Sequence, residues 1–390
     1  PETVTKGVTS LNDAETHEER FNRLSAVGDA EYSSSPLDVG VTTLTYAEKG
    51  GWTYARSIQQ AMADIATRHG EDCMFIGEDM EVAGAFGMNM ALKNAGHTDK
   101  LIDMPLCEAA IVHTGVGAAL SGMRPMVEIQ FGGFAALGFN ALLNNAAMLR
   151  WRWGAECPMT IRIPLGARTR SGPFHANMIE SWFANDPGLV VVAAGTPQDA
   201  YDLLMESAEL NDPVLFLEHI GLYGLRGGLT GWGQNINQNV DTETVQQAIA
   251  KGERYKLGKA AVVRGGRDVT LVTWGSMLHV AQQAADELAG EDIEVEIVDL
   301  RTLLPFDAQT CIESVTRTGR LVVLQEGQWC GGLGHSIQSR ILESCFYTLE
   351  SAPLVIGALD TPVPFSPPLE NFTIPSLEHV VKVLRLTTQS

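Results

Sequence analysis

Short apolar segments alternate with helical patterns along most of this chain, and this alternation constrains the fold more than any other feature. The apolar segments that predict buried strands are residues 73–77, 125–131, 159–164, 189–193, 213–218, 269–274, 293–298, 320–325 and 353–358. The helical patterns between them include residues 52–69, 138–151, 197–210, 277–289, 307–317 and 333–346. Because buried parallel strands joined by helices show this pattern, we predict an α/β protein. It has a doubly wound, mostly parallel sheet and a second, smaller α/β domain.

Changes in composition predict the domain boundaries. Residues 1–48 are polar and predict an extension that is disordered or wrapped on a partner. Residues 226–257 are polar and rich in Gly, Asn and Gln, which predicts a linker. The larger domain then occupies residues 49–225, and the smaller one occupies residues 258–390.

Composition and charge exclude several classes of partner. The chain has 390 residues and a net charge of −20, and it lacks the run of about 18 apolar residues that a membrane span needs. The charge argues against nucleic acid and anionic membranes, and it suits a basic protein partner. The first residues contain no apolar signal-peptide core, so we expect a cytoplasmic protein. The six cysteines form no C-x-x-C pair, which predicts buried free thiols.

Residues 105–134 contain acidic side chains within segments that are otherwise apolar. Glu108 lies in the first turn of an otherwise apolar helix of small residues, and Glu128 is the only charge in the buried strand that follows. A packed carboxylate must be protonated or meet a cation, or it carries a large desolvation cost. Glu108 is therefore either a functional acid or a carboxylate that favours the positive end of the helix dipole. The residues alone leave both interpretations open.

The remaining motifs are less specific. No Walker loop, no G-x-G-x-x-G after a strand and no H-E-x-x-H is present, so nucleotide and zinc-protease functions lack support. The segment GGLGHS at 331–336 fits a phosphate-binding turn or a tight turn without a ligand. His175 follows a Gly/Pro loop, where an imidazole either faces a cleft or is solvated. His113 lies on the helix of Glu108, and we expect it to be packed or at an interface.

Seven segments in order carry a resemblance to a known family. They are FIGEDM (75–80), PLCEAAIVHTGVGAALSGMRPMVEIQF (105–131), GPFHANMIESWFANDPGLVVV (172–192), NDPVLFLEHIGLYG (211–224), VDLRTLLPFD (298–307), EGQWCGGLG (326–334) and DTPVPFSPPLE (360–370). They resemble the β subunit of thiamine-diphosphate-dependent 2-oxo acid dehydrogenases, the E1 component of the pyruvate and branched-chain complexes. The resemblance implies a pyrimidine-binding domain followed by a smaller, transketolase-like C-terminal domain.

The resemblance also implies a shared cofactor site. Thiamine diphosphate would bind between this chain and a separate α subunit, in an α2β2 heterotetramer. Mg²⁺ would be held mainly by the α subunit, because this chain has no GDG…N motif. Glu108 is implied to hydrogen-bond the aminopyrimidine ring and so to promote loss of the thiazolium C2 proton. Phe134 is implied to stack on that ring, with Leu106 and Gln130 lining it.

Two further sites come from the same resemblance. His175 falls on a family histidine that can donate to a developing alkoxide or assist acyl transfer to a lipoyl arm. The backbone carbonyls around Ala208, Leu210 and Asp212 match a stretch that binds potassium in some relatives, which implies a K⁺ site here.

The chain departs from the family near the substrate mouth. Its loop before the histidine reads GARTRSGPFHANMIES, where relatives have a glycine-rich loop that continues as HSQS. Arg168 and Arg170 add positive charge there, so they either meet a phosphate or carboxylate of a substrate or are solvated. His113 stands where relatives often carry a small residue. These three residues are candidates for the substrate mouth.

Three functions therefore stay open. The first is decarboxylation of a 2-oxo acid, with the acyl group passed to a lipoylated acyltransferase. The second is two-carbon transfer from a 2-oxo acid or ketose phosphate to a carrier protein or an aldehyde, as in split transketolase-like or acyloin-forming enzymes. The third is a degenerate scaffold subunit, against which the joint presence of Glu108, Phe134 and His175 speaks.

Overall fold

The structure is a computed structural model that describes residues 40–224 and 234–389. Most of the predicted extension at 1–48 and the first part of the predicted linker therefore lie outside the described residues. We refer to residues 40–224 as the N-terminal domain and to residues 258–389 as the C-terminal domain.

The first sheet is built mainly from the N-terminal domain. Its strands are β1 (Cys73–Gly77), β2 (Leu101–Asp103), β3 (Arg124–Glu128), β4 (Thr160–Leu165), β5 (Val190–Val192), β6 (Val214–His219) and β10 (Thr302–Leu304). They pair in the order β10-β5-β6-β4-β3-β1-β2. All neighbours are parallel except β10, which is antiparallel to β5. The predicted doubly wound, mostly parallel sheet is confirmed.

The second sheet belongs to the C-terminal domain. Its strands are β7 (Ala261–Arg264), β8 (Val269–Thr273), β9 (Val295–Asp299), β11 (Leu321–Gln328) and β12 (Leu354–Ala358), in the order β12-β11-β8-β9-β7. Only β7 runs antiparallel to its neighbour. One buried apolar cluster connects the two sheets, with Ile163 and Leu217 on one side and Trp274 and Val323 on the other.

Helices separate the strands. They are α1 (Tyr54–His69), α2 (Met90–Asn94), α3 (Glu108–Leu120), α4 (Leu149–Trp153), α5 (Glu180–Phe183), α6 (Pro197–Ser207), α7 (Glu243–Ala250), α8 (Met277–Ala289), α9 (Ala308–Thr318), α10 (Leu333–Cys345), α11 (Pro367–Thr373) and α12 (Leu377–Thr388). Local sequence sets several boundaries: the Thr53 and Thr196 side chains cap α1 and α6, and Pro197 occupies the first position of α6.

The segment predicted as a helix at 138–151 is helical, but it is not one regular α-helix. A π-helix covers Ala141–Ala146, and only the short α4 follows it. Two asparagines explain the change, because Asn144 bonds the Asn140 side chain and Asn145 bonds the Asn140 carbonyl. Side chains of this type compete with the regular backbone pattern. The amide of Ala147 accordingly donates to Leu142, five residues back.

The predicted linker is tied to the N-terminal domain where it is described. It contains α7, and its end lies against α6. The buried carboxylate of Glu206 accepts the backbone N–H groups of Tyr255, Lys256 and Leu257 at 2.7–3.0 Å. Lys256 also pairs with Asp199, at 2.7 Å. These contacts fix where the chain enters the C-terminal domain.

The charge in the buried strand β3 meets a cation, which is one of the outcomes that the sequence leaves open. The guanidinium of Arg162 on β4 donates to Glu128 at 2.7 Å and to Glu218 on β6 at 2.6 Å. All three side chains are almost fully buried. Removal of Arg162 would leave two buried carboxylates without their cation, which is strongly destabilising.

Candidate functional site

The candidate site lies where the carboxyl ends of four parallel strands meet. Glu78 directly follows β1, and Glu108 begins the helix that follows β2. Gln130 follows β3, and the loop that carries His175 follows β4. These strands are neighbours, in the order β4-β3-β1-β2. Ligands of open α/β sheets bind at such an edge, so the topology brings these predicted residues to one place.

Two carboxylates are buried at this edge. Glu108 is 7% exposed and Glu78 is 4% exposed. Burial raises the pKa of Glu78, and the nearby charges of Glu108, Asp79 and Glu128 raise it further. The buried Oε1 atom of Glu78 accepts no hydrogen bond from the described residues. A buried acceptor of this kind fits a ligand that offers an N–H or O–H group.

Aromatic rings line the site beside the carboxylates. The His175 ring packs edge-on against Phe131, with centroids 4.4 Å apart, and against Phe134, at 5.4 Å. Two glycines permit this approach. A Cβ atom on Gly132 would lie 2.9 Å from the carbonyl oxygen of Asn177, and one on Gly133 would lie 2.7 Å from that of Phe174. The loop of His175 therefore packs directly against the turn after β3.

The other predicted lining residues differ in their placement. Gln130 donates to Asp79 at 3.1 Å, at the same edge of the sheet. Leu106 is 84% exposed, just before α3. The structure places His113 beside Asn145, whose amide lies 3.2 Å from Nε2, while Nδ1 donates to the Ala109 carbonyl at 2.8 Å. His113 is thus held by α3 and the π-helix, and no described contact joins it to the aromatic cluster.

The prediction for one of the two loop arginines, Arg170, requires a correction. Arg170 forms an ion pair with Glu370 of α11, and it donates to Asn371 at 3.0 Å. The backbone N–H of Arg168 donates to the same Glu370 at 2.9 Å. Neither free solvation nor a substrate anion is needed to explain Arg170, because a carboxylate of the C-terminal domain already compensates its charge.

The predicted potassium site also requires a correction. The Arg124 guanidinium donates to the carbonyls of Ala208, at 2.9 Å, and Leu210, at 3.1 Å. Asp212 instead pairs with Arg150, at 2.5 Å. A side-chain cation therefore meets the carbonyl oxygens that the resemblance assigned to K⁺.

Three residues at or near the site, Glu78, Glu326 and Glu370, are not among the site residues that the sequence predicts. Glu78 was visible as an acid at the end of a strand, but its burial next to Glu108 was not. Glu326 and Glu370 lie far away in the sequence, and no local pattern links them to the loop of His175.

Within residues 40–224 and 234–389, no three His, Cys, Asp or Glu side chains converge as a metal site would require. The same described part of the chain contains no helix long and apolar enough to cross a membrane. All six cysteines are free thiols, of which Cys107 and Cys330 are exposed.

Comparison with known proteins identifies the family. The transketolase pyrimidine-binding domain matches residues 51–225, and the transketolase C-terminal domain matches residues 258–380. The β subunit of acetoin:2,6-dichlorophenolindophenol oxidoreductase from Cupriavidus necator is 40% identical over 313 residues, which cover 80% of this chain and 87% of that protein. The β subunit of the pyruvate dehydrogenase E1 component from Bacillus subtilis is 36% identical, covering 82% of this chain and 93% of that protein.

The chain belongs to the thiamine-diphosphate-dependent E1 β-subunit family. Another member, the pyruvate dehydrogenase E1 β subunit of Staphylococcus epidermidis, is 34% identical over 86% of this chain and 98% of its own length. A solved structure described as a split-gene transketolase in an inactive β4 tetramer has a TM-score of 0.65 at 19% identity. The match covers 87% of this chain and 99% of the chain in that structure. At that identity the likeness shows the fold alone. In this E1 β chain, the pyrimidine-binding domain carries Glu108, Phe134 and His175.

Proposed function

We propose that this chain, with a separate α subunit, decarboxylates a 2-oxo acid with thiamine diphosphate and passes the acyl group to a lipoyl-type acceptor. The observation that carries the proposal is the convergence of Glu108, Phe134 and His175 at one edge of a parallel sheet. Each comes from a different connection, and together they provide an acid, an aromatic surface and a proton donor.

The residues present fit the pyrimidine end of this cofactor. Phe131 and Phe134 offer apolar faces, and the buried acceptors of Glu78 and Glu108 suit a heterocycle that bears N–H groups. Glu108 would hold the ring nitrogen through a proton on its carboxyl oxygen, and Phe134 would hold the ring plane. When bound, thiamine diphosphate supplies a carbon nucleophile and an electron sink for decarboxylation.

The chain's own residues then have separate tasks. Glu108 holds or moves one proton at its carboxyl oxygen, beside the buried Glu78. His175 donates a ring N–H to an oxygen of the substrate, where negative charge develops. The aromatic cluster around His175 limits its rotation and excludes water, which strengthens both interactions.

Exposed apolar surface at the site supports an α partner. Leu106 and Phe174 flank the site and are 84% and 68% exposed, which is unusual for large apolar side chains. We propose that the α subunit covers them and completes an α2β2 assembly. We also assign Mg²⁺ to the α subunit. The net charge of −20 suits a partner with a basic surface.

The environment of Arg170 favours a 2-oxo acid over a ketose phosphate. A phosphate subsite needs cationic side chains whose charge is not already balanced, and Glu370 balances Arg170. A second function is acyloin cleavage, which the 40% identity to the acetoin oxidoreductase β subunit favours. Both functions use the same cofactor and the same three residues, Glu108, Phe134 and His175.

The test is a steady-state comparison of the enzyme assembled with its α subunit. Pyruvate, a branched-chain 2-oxo acid, acetoin and a ketose phosphate are supplied in turn, with a dye as electron acceptor. We expect turnover with a 2-oxo acid. Turnover with acetoin alone would select the second function, and turnover with the ketose phosphate alone would refute both.

A further inference from the structure

We propose that two buried carboxylates of the C-terminal domain, Glu326 and Glu370, position the loop at residues 166–179 that carries His175. They are positioning residues, since they act through the loop and touch no reacting atom. The inference rests on the proposed function, in which His175 serves the substrate.

Glu326 holds the start of the loop. It lies on β11 and is almost fully buried, and its Oε1 atom accepts the backbone N–H of Ala167 at 2.8 Å. Its carboxylate also accepts from His219 at 2.8 Å and from Ser276 at 2.5 Å. Burial disfavours its charge, but His219 and these hydrogen bonds outweigh burial and lower the pKa of Glu326 to about 2. Its negative charge is therefore kept for the loop at physiological pH.

Glu370 holds the next residues of the loop. It lies on α11 and is fully buried. One oxygen accepts the N–H of Arg168 at 2.9 Å, and the other accepts the Arg170 guanidinium. Arg170 also donates to the Pro367 carbonyl at 3.3 Å. Successive loop residues are thus bonded to two separate elements of the C-terminal domain.

The backbone of the loop needs this external support. Arg168 and Arg170 have φ angles of 72° and 62°, in the left-handed region that side chains other than glycine rarely adopt. Strained conformations of this kind persist only where the surroundings determine them. Glu370 provides such surroundings, because it accepts the backbone N–H of Arg168 and the guanidinium of Arg170.

The loop is also confined from the sides and at its far end. A Cβ atom on Gly166 would lie 2.2 Å from Nε2 of His219, and one on Gly172 would lie 2.3 Å from the Phe365 ring. Just beyond the loop, a Cβ atom on Gly327 of β11 would lie 3.2 Å from Oε1 of Glu180, so that carboxyl group packs on the same strand as Glu326. The start of the loop is therefore bonded to the C-terminal domain and its far end packs against that domain, while its tip contacts the site.

The experiment compares Glu370→Gln and Glu370→Ala with the control Glu343→Ala, which removes an exposed carboxylate of the same domain. Hydrogen exchange of peptides covering residues 166–176 is measured on the full-length chain, and kcat and KM on the enzyme assembled with its α subunit. We expect at least about 10-fold faster exchange in Glu370→Ala, since its loop opens more often. We expect kcat to fall by about 10-fold with a smaller change in KM, because a misplaced group weakens the reacting step most.

Glu370→Gln retains an oxygen for Arg168, so we expect it to rescue part of both losses, whereas Glu343→Ala should match the wild type. Ser276→Ala provides a milder test of Glu326, whose direct replacement endangers folding, and we expect faster exchange near Ala167. Unchanged exchange in both Glu370→Ala and Ser276→Ala would overturn the inference. Faster exchange in an enzyme that turns over none of the donors would refute the proposed function and leave the loop contacts standing.

Discussion

Glu78 and Glu108 approach each other from different strand ends, and after burial the charge of Glu108 is the largest cause that raises the pKa of Glu78. A carboxyl group whose ionisation is disfavoured by burial and by a neighbouring negative charge, as that of Glu78 is, tends to keep its proton. A site that must hold a proton for a bound heterocycle benefits from this arrangement. The structure thereby gives Glu108 a partner that the sequence motif does not reveal.

Removal of the Glu108 carboxyl should abolish cofactor activation. In Glu108→Ala, we expect exchange of the C2 proton of thiamine diphosphate with deuterium to fall by about 10²- to 10⁴-fold, the usual range for loss of a general acid or base. The measurement is proton NMR of the quenched, assembled enzyme. The matched control is Glu156→Ala, which removes an exposed carboxylate of the same domain. Normal exchange in Glu108→Ala would remove our assignment.

We expect that without Arg124 the carbonyls of Ala208 and Leu210 bind potassium. In Arg124→Met, the carbonyls of Ala208 and Leu210 lose their donor, which we expect to cost about 1–3 kcal/mol of stability. Potassium chloride should raise the melting temperature of the variant more than sodium chloride at equal ionic strength. The wild type and the exposed-site control Arg152→Met should not distinguish the two salts. A wild type that is itself stabilised selectively by potassium would contradict our interpretation.

Glu180 should make stability depend on pH. Burial raises its pKa from 4.5 to about 7 in the folded chain. Between these values the folded state retains a proton that the unfolded state has lost, so this group's contribution to stability falls as the pH rises. Glu180→Gln should match the wild type near pH 4 and exceed it at pH 8, by at most about 3 kcal/mol. Chemical denaturation at both pH values tests this, with the exposed Glu287→Gln as control. An equal difference at both pH values would count against it.

A side chain at Gly172 should disturb the loop of His175. In Gly172→Ala, the new methyl group would overlap the Phe365 ring, and the left-handed φ of 75° adds about 1–2 kcal/mol of strain. We expect lower kcat in this variant and partial recovery in the double variant with Phe365→Ala, which removes only the overlap. Gly40→Ala, where nothing lies within 4 Å of the new atom, serves as control. Recovery to full activity in the double variant would show that the backbone strain is absent.

The sequence by itself determined the alternation of strands and helices and the need of Glu128 for a proton or a cation. These features depend on neighbouring residues or on the cost of a buried charge, so they can be read locally. The family motifs also located Glu108, Phe134 and His175, and the order of the strands then brought them to one edge.

Only the tertiary structure decided the partners of the charged groups and the edges of the sheets. Strand β10 joins the first sheet although the C-terminal half of the chain supplies it. Arg124 meets carbonyls 84 and 86 residues away, and Arg170 meets Glu370 at a separation of 200 residues. Such pairs form because packing brings distant segments together and a buried charged group needs a partner, but no local periodicity encodes which partner it meets.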